Sequence, residues 1–295
     1  MSGGTGRGLS VRRRRLRFEL KRSRDEAGLT QEQVAQEMDW SPSKVIRIEA
    51  GAVGISTNDL KALLRLYGVD NPARIAELTE LARLTRQRQP WWAPYKEHID
   101  PRYAEYIGYE MDAAVIYQSH PYTIPGLLHT EEYTRVVIAD GGPADLTEEV
   151  AEILVEVRLR RQREVLERPK PPAFHLVLGE AALRILVGGQ QVMRNQLTYL
   201  LDVARRPEVT LQIVPFSAGA YAGLIGPFTI LEFADPIDDD VAYLEGSEAG
   251  LIRDSPEQLS GYRQAFDQVV GRALSPADSA GFVATIREEL SSLET

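Results

Sequence analysis

Three side chains on one short segment have the types and spacing to read hydrogen-bonding edges: Ser43, Lys44 and Arg47. The planar guanidinium of Arg47 can donate two parallel hydrogen bonds to a flat acceptor pair such as guanine O6 and N7, worth about 1–3 kcal/mol of discrimination. Lys44 stands three residues earlier, hence on the same face of a helix, and can reach a base or a phosphate. Ser43 is short enough to approach a base edge. Gln31 and Ser41 occupy expected helix N-termini, where backbone N–H groups and polar side chains hold phosphates and fix register without reading sequence. The run Arg12, Arg13, Arg14, Arg15 would add phosphate or minor-groove contacts from a basic arm.

The elements that must position these groups are written in residues 28–51, GLTQEQVAQEMDWSPSKVIRIEAG. Thr30 is a good N-cap with Gln33 at capping-box spacing, and the helix it opens buries Val34, Ala35 and Met38. Ser41 caps a second helix whose first position is Pro42, where a missing N–H costs nothing. Two helices joined by so short a turn describe a helix-turn-helix whose second helix enters the DNA major groove.

This stretch resembles the DNA-binding domain of the Cro/phage-repressor (xenobiotic-response-element, XRE) family. In that family a Thr-Gln pair opens the second helix and an Ile/Leu-Glu-x-Gly sequence closes the third; here they are Thr30-Gln31 and Ile48-Glu49-Ala50-Gly51. The likeness covers about residues 14–80. It implies that Val45 and Ile48 turn to the core, leaving Ser43, Lys44 and Arg47 on the groove-facing side, and that Glu49, a departure from a positive reading face, pairs or caps inside the domain. It implies double-stranded DNA as a partner, and a homodimer, since one helix-turn-helix contacts only half of an operator.

The overall charge, taken alone, opposes this. The chain of 295 residues carries 34 Lys+Arg and 43 Asp+Glu, a net of −9. Residues 1–90 hold 17 basic and 11 acidic residues, net +6, and the remainder 17 and 32, net −15. A basic head on an acidic body is therefore expected. With no cysteine, disulfides, thiolate metal sites and cysteine nucleophiles are excluded. No apolar run could span a bilayer, and no signal-peptide pattern follows the basic N-terminus, so the expected location is cytoplasmic.

The organisation expected is multidomain. Residues 1–10 read as a disordered tail and 11–89 as an all-α, five-helix helix-turn-helix domain. The Pro90-Trp91-Trp92-Ala93-Pro94 break then opens an α/β (α+β) domain over 90–295. Within it, 100–138 reads as helical with an interruption at His120 to Pro125. A long amphipathic helix covers 146–168, with Arg158, Arg160, Arg161 and Arg163 on its exposed side. Short apolar runs at 173–178, 209–215, 228–233 and 241–244 read as strands of a small mixed or antiparallel sheet.

This second half contains no catalytic motif, cofactor signature or metal-ligand spacing, and the protein is expected not to be an enzyme. A small-signal pocket would need Glu110, Glu180, Tyr221, Tyr243 and Glu245 to converge. Trp91-Trp92, IPGLLHTEEYTR at 124–135, LRRQ at 159–162, LGEAALR at 178–184, PFSAGAYAGLIGPFTILEF at 215–233 and AYLEG at 242–246 resemble the large C-terminal domain of actinobacterial helix-turn-helix regulators described as antitoxin-like. Members of that group are frequently encoded beside a very small partner protein. The resemblance implies partner binding or signal sensing and supplies no catalytic residues. The expected function is a sequence-specific transcriptional regulator. The alternative is a small-molecule receptor or enzyme that uses DNA binding only for localisation.

Overall fold

The computed structural model describes residues 8–86, 89–246 and 250–292. The chain divides into two compact units between Ala93 and Pro94. The expected tail at 1–10 lies mostly outside the described residues, but its last part is helical: the first helix, α1, runs Leu9–Glu26 from Gly8.

The regular structure of the first unit is helical among the described residues: α1 is followed by α2 (Gln31–Glu37), α3 (Pro42–Glu49), α4 (Thr57–Leu66) and α5 (Pro72–Arg86). Starts are set by side chains that accept an otherwise orphaned amide, with Thr30 taking Gln33 N–H, Ser41 taking Lys44 N–H and Ser56 taking Asp59 N–H. The five helices close over one core in which Leu16, Leu20, Val34, Val45, Ile48, Leu60, Leu64 and Leu78 meet.

The second unit is an α/β layer structure. Its strands are β1 (Val115–His120), β2 (Ala173–Gly179), β3 (Val209–Val214), β4 (Phe228–Glu232), β5 (Val241–Leu244) and β6 (Leu251–Arg253). They form one mixed sheet in the order β3-β2-β1-β4-β5-β6, with β1, β2 and β3 parallel and β4, β5 and β6 antiparallel in succession. The helices are α6 (Pro101–Asp112), α7 (Glu131–Gly141), α8 (Glu148–Leu166), the short α9 (Ala181–Arg184), α10 (Gly189–Val203), α11 (Pro256–Val270) and α12 (Pro276–Ser292). One edge of the sheet is closed by the chain leading into α12 and by α12 itself: Ile213 N–H donates to Ser279 Oγ at 2.9 Å, and Leu274 N–H donates to Ile213 O at 2.8 Å. That removes a row of free strand groups.

Two readings of the sequence are corrected here. The centre of the sheet, β1, lies in the stretch read as helical, because α6 ends at Asp112 and β1 starts three residues later with neither Gly nor Pro between them. Its inward Gln118 and His120 also hide the apolar alternation of a strand. Arg161, expected on the exposed side of α8, is buried, because a partner carboxylate from α6 meets it there.

Candidate nucleic-acid interface

The capping box at the start of α2 is reciprocal: Gln33 N–H donates to Thr30 Oγ1 at 3.2 Å, and Thr30 N–H donates to Gln33 Oε1 at 2.8 Å. The chain then turns through Asp39 at φ 53°, a left-handed conformation that Asp tolerates better than most residues. Ser41 and Pro42 restart the helix at once. Val45 and Ile48 are buried, which fixes the rotation of α3 and sends Ser43, Ile46, Arg47 and Ala50 outward on one face.

A carboxylate latch holds this rotation. Glu49 accepts from Arg24 Nε at 2.6 Å, from Arg24 Nη2 at 3.1 Å and from Gln31 Nε2 at 2.7 Å, joining α1, α2 and α3. Arg24 also donates to Leu29 O at 2.8 Å. The hydrogen bond to Glu49 raises the Arg24 pKa above its ordinary value, against the opposing effect of burial. Glu49 is thus spent inside the unit. Arg17 reaches the end of α3, donating to Ala50 O at 3.0 Å. The adjoining Gly51 sits at φ 70°, a backbone conformation that favours glycine, and a Cβ there would press on the Arg17 side chain.

The sequence-derived candidates fall into three groups. Ser43 and Arg47 are exposed on the free face of α3. Lys44 lies at its flank, with Nζ 3.3 Å from Asp59 Oδ2 and 3.5 Å from the centroid of the Trp40 ring. That ion pair is solvent-exposed and therefore weak enough to be exchanged for a phosphate. Gln31 and Ser41 stand at the N-termini of α2 and α3, Gln31 with its amide committed to Glu49.

The arginine run requires correction. Arg12 to Arg15 form no free arm: they lie in α1 against α5, where Arg13 Nη2 donates to Thr85 O at 3.3 Å, Arg14 is buried and Arg15 pairs with Glu77. The carboxylates of α5 and the apolar stripe of Val11, Leu16 and Leu20 draw this stretch into the fold.

Ile46 is a residue that the sequence analysis did not single out. It is 48% exposed, beside Arg47. At about 3.6 residues per turn, Ile46 cannot share the inward side with both neighbours, so the helical period alone marks it. An exposed branched side chain there fits apolar contact with a thymine methyl group.

The pocket expected in the second unit does not assemble. Glu110 is buried, gripped by Arg161 through Nε–Oε2 at 2.5 Å and Nη2–Oε1 at 2.8 Å, and it accepts from the Tyr106 hydroxyl at 2.9 Å. Tyr243 stacks on Tyr106 with ring centroids 3.9 Å apart, and exposed Glu245 lies near enough to act on both phenols. Tyr221 packs with the cluster of Phe228 and Phe266, on the other sheet face, and Glu180 binds Arg184 Nε at 2.6 Å and Phe216 N–H at 2.8 Å. Side-chain alternation along the strands separates them.

Nearby, two imidazoles are buried. His129 Nε2 donates to Ile124 O at 2.7 Å, and Nδ1 faces Arg158 Nη1 at 3.5 Å. Burial first, and then Arg158, holds its pKa well below the ordinary value; burial lowers that of His120 as well. Among the described residues no cluster has the makings of a metal site, and no helix is long and apolar enough to cross a membrane.

Comparison with known proteins is consistent with this geometry. Residues 15–78 match a family model described as "Helix-turn-helix domain", and residues 103–285, more than half of the chain, match one described as "Domain of unknown function (DUF5753)". No curated protein and no solved structure matches the chain.

Proposed function

We propose, from the premise that the chain belongs to the DUF5753 family and carries a helix-turn-helix domain, that it is an XRE-type repressor that reads its operator through α3. The helix-turn-helix makes it a DNA-binding regulator. The observation that carries the finer reading is the outward face of α3, where Ser43, Ile46 and Arg47 stand free while Glu49, the carboxylate that would repel phosphate, is latched inward. Arg47 reads a guanine, Ile46 contacts a thymine methyl, and Lys44 and Ser41 hold backbone phosphates. One such head covers a half-site, so the regulator works as a homodimer on two half-sites about 34–36 Å apart. The acidic second unit confines DNA to the basic head by repulsion.

We read the second unit as a binding domain of the antitoxin-like kind, taking a small protein partner or a signal, and not as an enzyme. Its buried carboxylate is neutralised by Arg161 and its buried imidazoles are held neutral, so these groups serve the fold.

The test is a binding titration of the purified chain on DNA from upstream of its own gene and on random duplex. Arg47→Ala should lose about 1–3 kcal/mol on the specific site and nearly nothing on random duplex. Equal losses on both would remove its reading role.

A further inference from the structure

The carboxyl ends of β1, β2 and β3 gather an unusual amount of exposed apolar surface. Tyr122 follows β1, Ile185 and Leu186 follow β2, and Phe216, Leu224 and Ile225 follow β3; all are exposed, Ile225 at 97% and Phe216 at 62%. Leu251 continues the row, because β6 begins where antiparallel β5 finishes. Six strands side by side make a rim about 24 Å wide. Of the large exposed apolar side chains among the described residues of this unit, Ile237 alone lies at the opposite end, between β4 and β5.

Charge is sparse along most of the same rim, although Glu180, paired with Arg184, stands after β2 and Glu245 stands exposed after β5. No Asp, Glu, Lys or Arg occurs in residues 113–130, 185–193 or 209–231, although 26% of the whole chain is charged. The loop after β3 is also held in place. It makes two short 3-10 turns between Pro215 and Pro227, is anchored by Phe216 N–H on Glu180, and packs Gly223 within 3.0 Å of Val269 Cγ2, measured to an added Cβ. A loop already ordered loses little entropy when it is covered.

We infer that this rim is the face through which two copies of the chain associate. The inference rests on the homodimer reading above and supplies its interface. The occupant follows from charge. Two bodies that each carry a net of −15 repel, and they can approach only where carboxylates are sparse. A basic partner would be drawn to a carboxylate-rich surface instead. A rotationally symmetric pair needs one patch that complements itself, which a largely uncharged apolar rim does.

Sedimentation of the full chain tests this, with Ile225→Asp and Phe216→Asp against Ile237→Asp as the control at the opposite end of the sheet. The wild type should dimerise, more tightly at higher salt because repulsion is screened. The two rim variants should weaken the dimer at least tenfold with unchanged thermal melting, and the control should not. Rim variants that dimerise like the wild type overturn the proposal, as does loss of a different co-purifying protein with the dimer intact. A wild type that stays monomeric removes the two-half-site reading itself.

Because the chain has no cysteine, Ile225→Cys and Ile237→Cys provide handles that avoid a buried charge. A short bis-maleimide should join two copies through position 225 and not through 237. The reverse pattern contradicts the inference even if the aspartate variants misfold.

Discussion

In the proposed reading, Arg47 supplies a donor pair and Ile46 an apolar contact to DNA, and the exposure of both separates function from stability. Ile46→Ala should leave folding stability within about 0.5 kcal/mol of wild type, since an exposed position contributes little. It should nevertheless weaken preference for thymine at one operator position, measured by titration on operators altered there. His129 makes the opposite kind of prediction. Burial first, and then the nearby Arg158 cation, depress its pKa against the opposing hydrogen bond from Nε2–H to Ile124 O, so the folded state holds the neutral ring. The unfolded chain titrates near the ordinary value of about 6.5. The stabilisation from His129 is therefore complete above about pH 6.5 and declines as pH falls below it, by up to about 1.4 kcal/mol per pH unit. Denaturant midpoints between pH 7.5 and 5.5 should show the decline, and His129→Gln should reduce it; an unchanged slope would mean that His129 titrates freely.

At the scale of elements, the helix-turn-helix was legible because each signal is local. Thr30, Ser41 and Pro42 act on amides three or four residues away, and Val45 and Ile48 repeat at helical spacing. Thr30→Ala should cost about 1 kcal/mol of stability through loss of the cap. Glu49→Ala, which strands Arg24 in its partly buried position, should cost on the order of 3 kcal/mol by thermal denaturation and release α3 from α1. The failures arose where partners are distant in sequence. Arg15 is drawn inward by Glu77, Arg161 by Glu110, and β1 is defined by strands more than 50 residues further along, none of which a local pattern can display. The pocket failed for the same reason: Tyr221 and Tyr243 were assigned to one site, but packing places them on opposite faces of the sheet.

For the whole molecule, the net charge of −9 describes neither unit. The division into a basic head and an acidic body was readable by counting along the chain, whereas the largely uncharged rim emerged only when three separated segments met at one end of the sheet. Affinity for any duplex should fall as salt rises, with a slope set by the few cations left free on the head, because much of the arginine run is committed to α5. Specificity should persist across that range, since the contact proposed for Arg47 is to a base. The central claim is that this protein selects a DNA sequence through α3. In vitro selection from a random duplex library, run in parallel with wild type and Arg47→Ala, measures that directly. The wild type should enrich an inverted repeat with half-sites about one helical turn apart, and Arg47→Ala should lose the preference at one position in each half-site. Enrichment of no sequence by the wild type, or of the same sequence with equal strength by both proteins, would contradict it.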